Sequence, residues 1–456
     1  MRVVVTGASG NVGAGVLRAL AAQMPDAEVV GICRRPPTTG EKYERVQWHA
    51  VDLSSPTAAA ELEPVLRRAD VVIHLALAIQ PVRDTDYLYR ANVLGTQALL
   101  SAMTAAGIRQ LVYASSLGIY APGRGEPVSE DWPDTGQPAS TYSRHKVMVE
   151  RMLDRFVEEH PETVVARFRP TVVVQREAAW LIRSLYLGPL VPRAAFELLR
   201  RGAVRLLPLP RGIALQFVHA DDVGDAVIRM MQHRAHGSYN IAANVLDSTA
   251  LAALVGAQAV GVDPRMMRTV VSALSASRVV ALTPGWYDVA TNSPVMDTSK
   301  ARRELGWAPT RTSAESAMEL LDGMAEGAAG TSAAMGWRSE ERRMTPQTIR
   351  RIHDGSLLLW TTLAVARALG FGAAKVPEAA AVAVNLAAGT PMALERVVER
   401  RRDPVAILAP LAVVAALTTT VRGGWAPVAA TTALSLLAAA ERRRASRMGK
   451  HEHTTH

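Results

Sequence analysis

One cysteine in 456 residues, Cys33, excludes an intramolecular disulfide framework and gives no reason to expect an oxidising compartment. Aromatic residues make up only 5% of the chain. With no zinc-finger spacing and no aromatic RNA-binding motif, nucleic acid is not an expected partner, despite a formal net charge of +9. That charge is local: residues 331–456 carry 17 Arg and Lys against 9 Asp and Glu, whereas 1–330 carry 34 against 33. No internal repeat is evident. The first residues lack the charged, apolar and cleavage regions of a signal peptide, and a cytoplasmic location is expected. His451, His453 and His456 read as a disordered end, so no metal site is expected.

What is present begins at residue 1. Val3–Val5 is an apolar run that enters a loop containing Gly7, Ser9, Gly10, Asn11, Val12 and Gly13, and a helical pattern from Val16 to Ala22 follows. Strand, glycine turn and helix N-terminus in this order suit a dinucleotide pyrophosphate. The glycines admit backbone close to phosphate, and unpaired helix N–H groups point at the anion.

The length suggests two or three structural units. Residues 1–170 alternate short apolar runs with helical patterns, as in a Rossmann-type doubly wound parallel α/β sheet. The spacing predicts strands at Arg2–Thr6, Glu28–Cys33, Val46–Ala50, Val71–Leu75, Gln110–Ala114 and Val164–Arg167. Helices are predicted at Gly13–Ala22, Ala58–Leu66, Asp86–Ala106 and Tyr142–His160. Residues 171–325 read as a smaller substrate-binding part interleaved with the last strands. A linker is expected over 326–345, and an all-α, apolar and basic extension over 346–456.

Ser116, Tyr142 and Lys146 carry the chemistry. The four-residue spacing puts Tyr142 and Lys146 on one helix face, a turn apart. An ammonium near a phenol favours phenolate and lowers its pKa. Such a tyrosine can exchange a proton with a substrate oxygen while hydride moves at the adjacent carbon. Ser116, after the fifth strand, can bind the same oxygen, and Lys146 can hold the nicotinamide ribose.

Together with Thr6–Gly13, Asp52-Leu53, His74-Leu75-Ala76, Asn92–Thr96, Ser115-Ser116 and Arg169-Pro170, these residues resemble the extended short-chain dehydrogenase/reductase family, also called the NAD-dependent epimerase/dehydratase family. Phe217–Val223, Tyr239–Ala242 and Asp297–Trp307 continue the resemblance, which covers about residues 1–325. It implies that Asp52 and Leu53 lie near the adenine, and that Leu75 and Ala76 line the cofactor site. Asn92 would support the active-site helix, or is equally a polar helix residue satisfied locally. Ser116, Tyr142 and Lys146 take the catalytic positions.

The second predicted strand ends Cys33-Arg34-Arg35-Pro36, without the acid that would bind the ribose of NAD. Arg34 and Arg35 can clamp a 2′-phosphate, so NADP is favoured and NAD stays open. Leu117-Gly118 stands where related dehydratases carry Asp-Glu, which disfavours water elimination. Leu215-Gln216 and Thr283-Pro284-Gly285-Trp286 lack the charges with which related epimerases hold a diphosphate. Arg176, Arg183, Arg193 and Arg211 could rebuild an anion site, though most read as a solvated basic face. Trp180, Tyr186, Trp286 and Tyr287 could line an apolar pocket.

The favoured reading is therefore an NAD(P)-dependent oxidoreductase acting on a carbonyl or secondary alcohol of an apolar small molecule, with a homodimer expected. The alternatives are an NAD-dependent nucleotide-sugar epimerase and, from another class, a non-catalytic cofactor sensor. In the extension, Pro404–Val421 and Trp425–Ala440 are apolar runs flanked by Arg400–Arg402 and Arg442–Arg444. They read either as a membrane hairpin with both ends cytoplasmic or as a soluble helical pair, each being at or below the ~20 residues a span needs.

Overall fold

Alternation of valines sets the first strand. Val3 and Val5 bury into one core and Val4 into the other, so β1 (Arg2–Thr6) separates two apolar layers. A computed structural model describes residues 1–336 except 39, 80–83, 124, 188–192 and 277–279. The expected extension, including 404–440, and the later part of the expected linker lie outside the described residues. Among those described, no helix is long and apolar enough to cross a membrane.

Beyond β1 run α1 (Asn11–Gln23), β2 (Glu28–Cys33), β3 (Val46–Ala50), α2 (Ala58–Leu66) and β4 (Val71–His74). Then follow α3 (Thr85–Tyr89), α4 (Gly95–Ala106), β5 (Gln110–Ala114), α5 (Thr141–Glu159), β6 (Val164–Pro170) and β7 (Val172–Val174). The later elements are α6 (Ala179–Ile182), α7 (Arg193–Arg200), β8 (Leu206–Pro210), β9 (Ala214–His219), α8 (Ala220–Gln232) and β10 (Gly237–Ile241). After them come β11 (Val245–Asp247), α9 (Ser248–Ala253), β12 (Gln258–Val262), α10 (Pro264–Ala276), α11 (Pro284–Asn292), α12 (Ser299–Leu305) and α13 (Ser313–Glu326).

Seven strands form one parallel sheet in the order β10-β6-β5-β4-β1-β2-β3. The chain reverses its direction of travel between β1 and β4, and ligands of such sheets bind outside the strand ends at that switch. Leu62, Leu66, Leu99, Met103 and Leu153 fill one face, drawn from α2, α4 and α5. Leu20, Val223, Val227 and Trp307 fill the other. There α1 and α8 meet so closely that a Cβ on Gly15 would lie 2.0 Å from the Ala220 carbonyl oxygen. A smaller mixed part adds the sheet β11-β9-β7 and the pair β12-β8.

The described residues of Met1–Leu185, of Ala195–Arg268 and from Thr283 on belong to one compact unit; those of Tyr186–Ala194 and Thr269–Leu282 belong to a second. Two elements differ from expectation for tertiary reasons. The helix expected over Asp86–Ala106 contains a π turn at Arg90–Leu94, between α3 and α4, which carries Asn92. β6 runs three residues past Arg167 because β10 pairs with it, with Tyr239 opposite Phe168 and Ile241 opposite Pro170.

Candidate active site

The glycine loop lies at the switch between β1 and β4. Gly7 has φ +68°, and a Cβ there would stand 2.7 Å from the Ala76 nitrogen, so only glycine fits. Its N–H bonds the Ile32 carbonyl at 2.8 Å, and the N–H of Gly10 bonds the Gly7 carbonyl at 3.0 Å. Gly10 caps α1 without a side-chain hydrogen bond to the helix N–H groups. An uncapped helix N-terminus behind a tight glycine turn fits a pyrophosphate.

Around this loop, Leu75 and Ala76 approach through their N–H groups, which donate to the Thr6 carbonyl at 3.1 Å and the Thr6 hydroxyl at 3.3 Å. Asp52 Oδ1 accepts from the Ser54 N–H and hydroxyl at 2.9 and 2.8 Å, and Leu53 is buried beneath Gly95. Asn11 and Val12 open α1; the Asn11 amide donates to the Val173 carbonyl at 2.8 Å. Arg34 and Arg35 are exposed at the end of β2, and Arg34 donates to the Tyr87 hydroxyl and sits over its ring.

At the end of β5, Ser116 caps a short turn over Leu117–Ile119, its hydroxyl accepting from the Gly118 N–H at 3.0 Å. The start of α5 is tied to that turn. Ser140 caps the helix, and the Ser143 hydroxyl donates to the Gly118 carbonyl at 2.6 Å. This brings the Tyr142 ring edge and the Ser116 hydroxyl together beside Gly118, 3.1 and 3.4 Å from where a Cβ on it would stand. Burial pushes the Tyr142 phenol up to about 12, with the neighbouring Ser116 hydroxyl opposing.

Lys146 is buried, and burial brings its ammonium down to about 7 against the pull of Glu150. Sharing a helix face did not bring its charge to Tyr142. The Lys146 stem runs to the end of β5, where Nζ donates to the Tyr113 hydroxyl at 3.2 Å and to the Ala114 carbonyl. The expected lowering of the Tyr142 pKa is therefore corrected: in this arrangement desolvation governs both groups.

Tyr142 borders a cavity of about 300 Å³ that Asn92, His145, Arg268, Thr283 and Trp286 also line. Trp286 stacks on the Tyr142 ring, centroids 4.6 Å apart. Arg268, missed in the sequence, is held there by Asp288 through bonds of 2.7 and 2.9 Å. Arg176, Arg183, Arg193 and Arg211 do not line this cavity, nor do Trp180, Tyr186 and Tyr287. Gln216 is internal: its amide bonds the Ala243 and Met296 carbonyls, and its carbonyl accepts from the Met296 N–H.

Asn92 binds backbone: its amide exchanges bonds of 2.7 and 2.8 Å with the Ala78 N–H and carbonyl. It thus fixes the loop after β4, and not α5 through its side chain. A further polar chain has no signal in the sequence. His74 joins the Thr6 hydroxyl at 2.6 Å to the Thr96 hydroxyl at 2.9 Å, and Thr96 donates to the Asn92 carbonyl at 2.7 Å. Burial and Lys146 take His74 down to about 3, so it is neutral. Deeper, the Glu150 carboxylate takes two bonds from Arg169 and one from Ser115, tying α5 to the ends of β5 and β6.

A doubly wound parallel sheet with this loop at its switch point defines a Rossmann-type dinucleotide-binding protein. The chain belongs to the NAD dependent epimerase/dehydratase family, whose model matches residues 3–242, and it is an enzyme of that family. A UDP-glucose 4-epimerase of Azospirillum brasilense is 27% identical over 257 residues, 53% of this chain and 72% of that enzyme. A dTDP-D-glucose 4,6-dehydratase of Mus musculus is 23% identical over 331 residues, 68% of this chain and 84% of that enzyme. An uncharacterised protein of Sinorhizobium fredii is 25% identical, and this chain spans 62% of its length. The fold is shared with a UDP-glucose-4-epimerase from Stenotrophomonas maltophila solved with NAD and formylated UDP-arabinopyranose, at a TM-score of 0.55 and 20% identity over 72% of this chain and 98% of that one. A UDP-galactose 4-epimerase structure matches with a TM-score of 0.51 and 19% identity, over 72% and 99% of the two chains.

Proposed function

We propose that this enzyme interconverts a secondary alcohol and a ketone, with Tyr142 as acid/base, Ser116 holding the reacting oxygen and Lys146 holding the cofactor ribose. The observation that carries this is Tyr142, which lines the cavity with its ring edge beside the Ser116 hydroxyl at Gly118. The bound nicotinamide supplies the hydride acceptor or donor. Tyr142 takes the hydroxyl proton on oxidation and returns it on reduction. Tyr142 takes that proton only as phenolate, which its burial disfavours; a turn of Lys146 from Ala114 towards Tyr142 would favour the phenolate in the oxidative half.

The relatives support a nucleotide sugar as substrate, with epimerisation as the net outcome of oxidation and re-reduction. A second reading, an apolar carbonyl compound, is supported by the Trp286 wall, by the internal Gln216 and by the pairing of Arg268 with Asp288. For the cofactor, Arg34 and Arg35 support NADP, while the family supports NAD. Titration with NADPH and NADH separates these, and assay of UDP-glucose and UDP-galactose interconversion against NADPH-dependent reduction of hydrophobic ketones separates the substrates. Interconversion without added reductant supports the epimerase; ketone reduction alone supports the second reading.

A further inference from the structure

The stretch read as the start of a linker folds back onto the cofactor loop. After α13 the backbone turns on itself, the Gly330 N–H bonding the Met335 carbonyl at 3.0 Å and the Met335 N–H bonding the Ser332 carbonyl at 3.0 Å. Ser332 and Met335 have no exposed surface. Thr331 fills the space beside Gly40, where a Cβ would stand 2.6 Å from its hydroxyl oxygen. From this turn the Ser332 hydroxyl donates to the carbonyl of Ser9 at 2.6 Å, across 323 residues of sequence.

Ser9 belongs to the glycine loop and is itself buried. The peptide joining Ser9 to Gly10 is held at both ends: its carbonyl by Ser332, and its N–H by the Gly7 carbonyl. The next amides open α1 and face the pyrophosphate position with no side-chain cap. We propose that Ser332 is a positioning residue for the cofactor, and that 328–336 is a clasp which holds the loop in its pyrophosphate-binding form. Without the hydroxyl, the Ser9 carbonyl is buried with a partner lost. Rotation of the Ser9–Gly10 peptide relieves this. The same rotation draws the Gly10 N–H off Gly7 and tilts the first turn of α1.

The test is Ser332→Ala in the full chain, with Ser332→Cys as a nearly isosteric variant that retains a weak donor. NAD dissociation constants come from nicotinamide fluorescence titration, kcat is read at saturating cofactor, and amide hydrogen exchange is followed over residues 7–13. The expected result is an NAD Kd raised about five- to tenfold in Ser332→Ala. Ser332→Cys should fall between it and the wild type, kcat should stay within about twofold, and exchange should quicken in the loop. An NAD Kd and loop protection equal to wild type in folded Ser332→Ala would overturn the proposal, as would a loss confined to kcat. That last outcome would implicate the chemistry at Tyr142 rather than the cofactor loop.

Discussion

The indole of Trp286 lies on the phenol ring of Tyr142, centroids 4.6 Å apart and planes 29° from parallel. The first turn of α11 is thus a wall of the proposed reaction cavity. Trp286→Phe keeps an aromatic face there and should hold kcat/KM within about threefold. Trp286→Ala removes the stack, worth about 0.5–1.5 kcal/mol, and should lower kcat/KM about tenfold, chiefly through KM. Steady-state kinetics beside thermal melts check this; equal kinetics for the two variants would argue that Trp286 is core alone.

Gly7→Ala should abolish measurable cofactor binding, because the new Cβ meets the backbone of Leu75 and Ala76 at 2.7–2.8 Å. Gly107→Ala is the control. It has nearly the same positive φ, +70°, but nothing within 4 Å of its Cβ. It should lose about 1 kcal/mol of stability and keep its cofactor affinity. Cofactor titration and denaturant melts of both variants read the difference.

Acid stability should reflect His74. Its folded pKa, about 3, lies below the ordinary imidazole value of 6.5, so between these limits the unfolded chain binds the extra proton. Stability from this group is complete above pH 6.5 and falls as the pH drops towards 3, by about 1.4 kcal/mol per unit. Denaturant melts of wild type and His74→Asn from pH 7 to 4 should give a shallower dependence in the variant. Parallel curves would contradict the neutral buried imidazole.

How much of this was legible varied with the range of the forces involved. The bounds of β1, β2, β3 and β5 follow from local alternation of apolar residues, and they stand where the spacing predicts. The glycine loop carried its own signature. The last residues of β6 depend on β10, some 70 residues on, and local pattern ended them early. Arg268 was invisible because its place at the cavity depends on Asp288 of the next helix. Ser332 looked like linker because small residues usually are; only its seat under Ser9 makes it part of the loop. Tyr142 and Lys146 do lie a turn apart in α5, but the backbone carbonyl that captures the Lys146 ammonium does not show in spacing.

The most direct measurement is the absorbance of bound nicotinamide at the reduced-cofactor band, in wild type and Tyr142→Phe. Both are loaded with NAD and mixed with UDP-glucose, UDP-galactose and a hydrophobic secondary alcohol in separate runs. Wild type should reduce its cofactor with at least one of these. Tyr142→Phe should bind NAD with the same affinity and reduce it at least about a hundredfold more slowly. Reduction at the wild-type rate in the variant would contradict the assignment of Tyr142 as the acid/base.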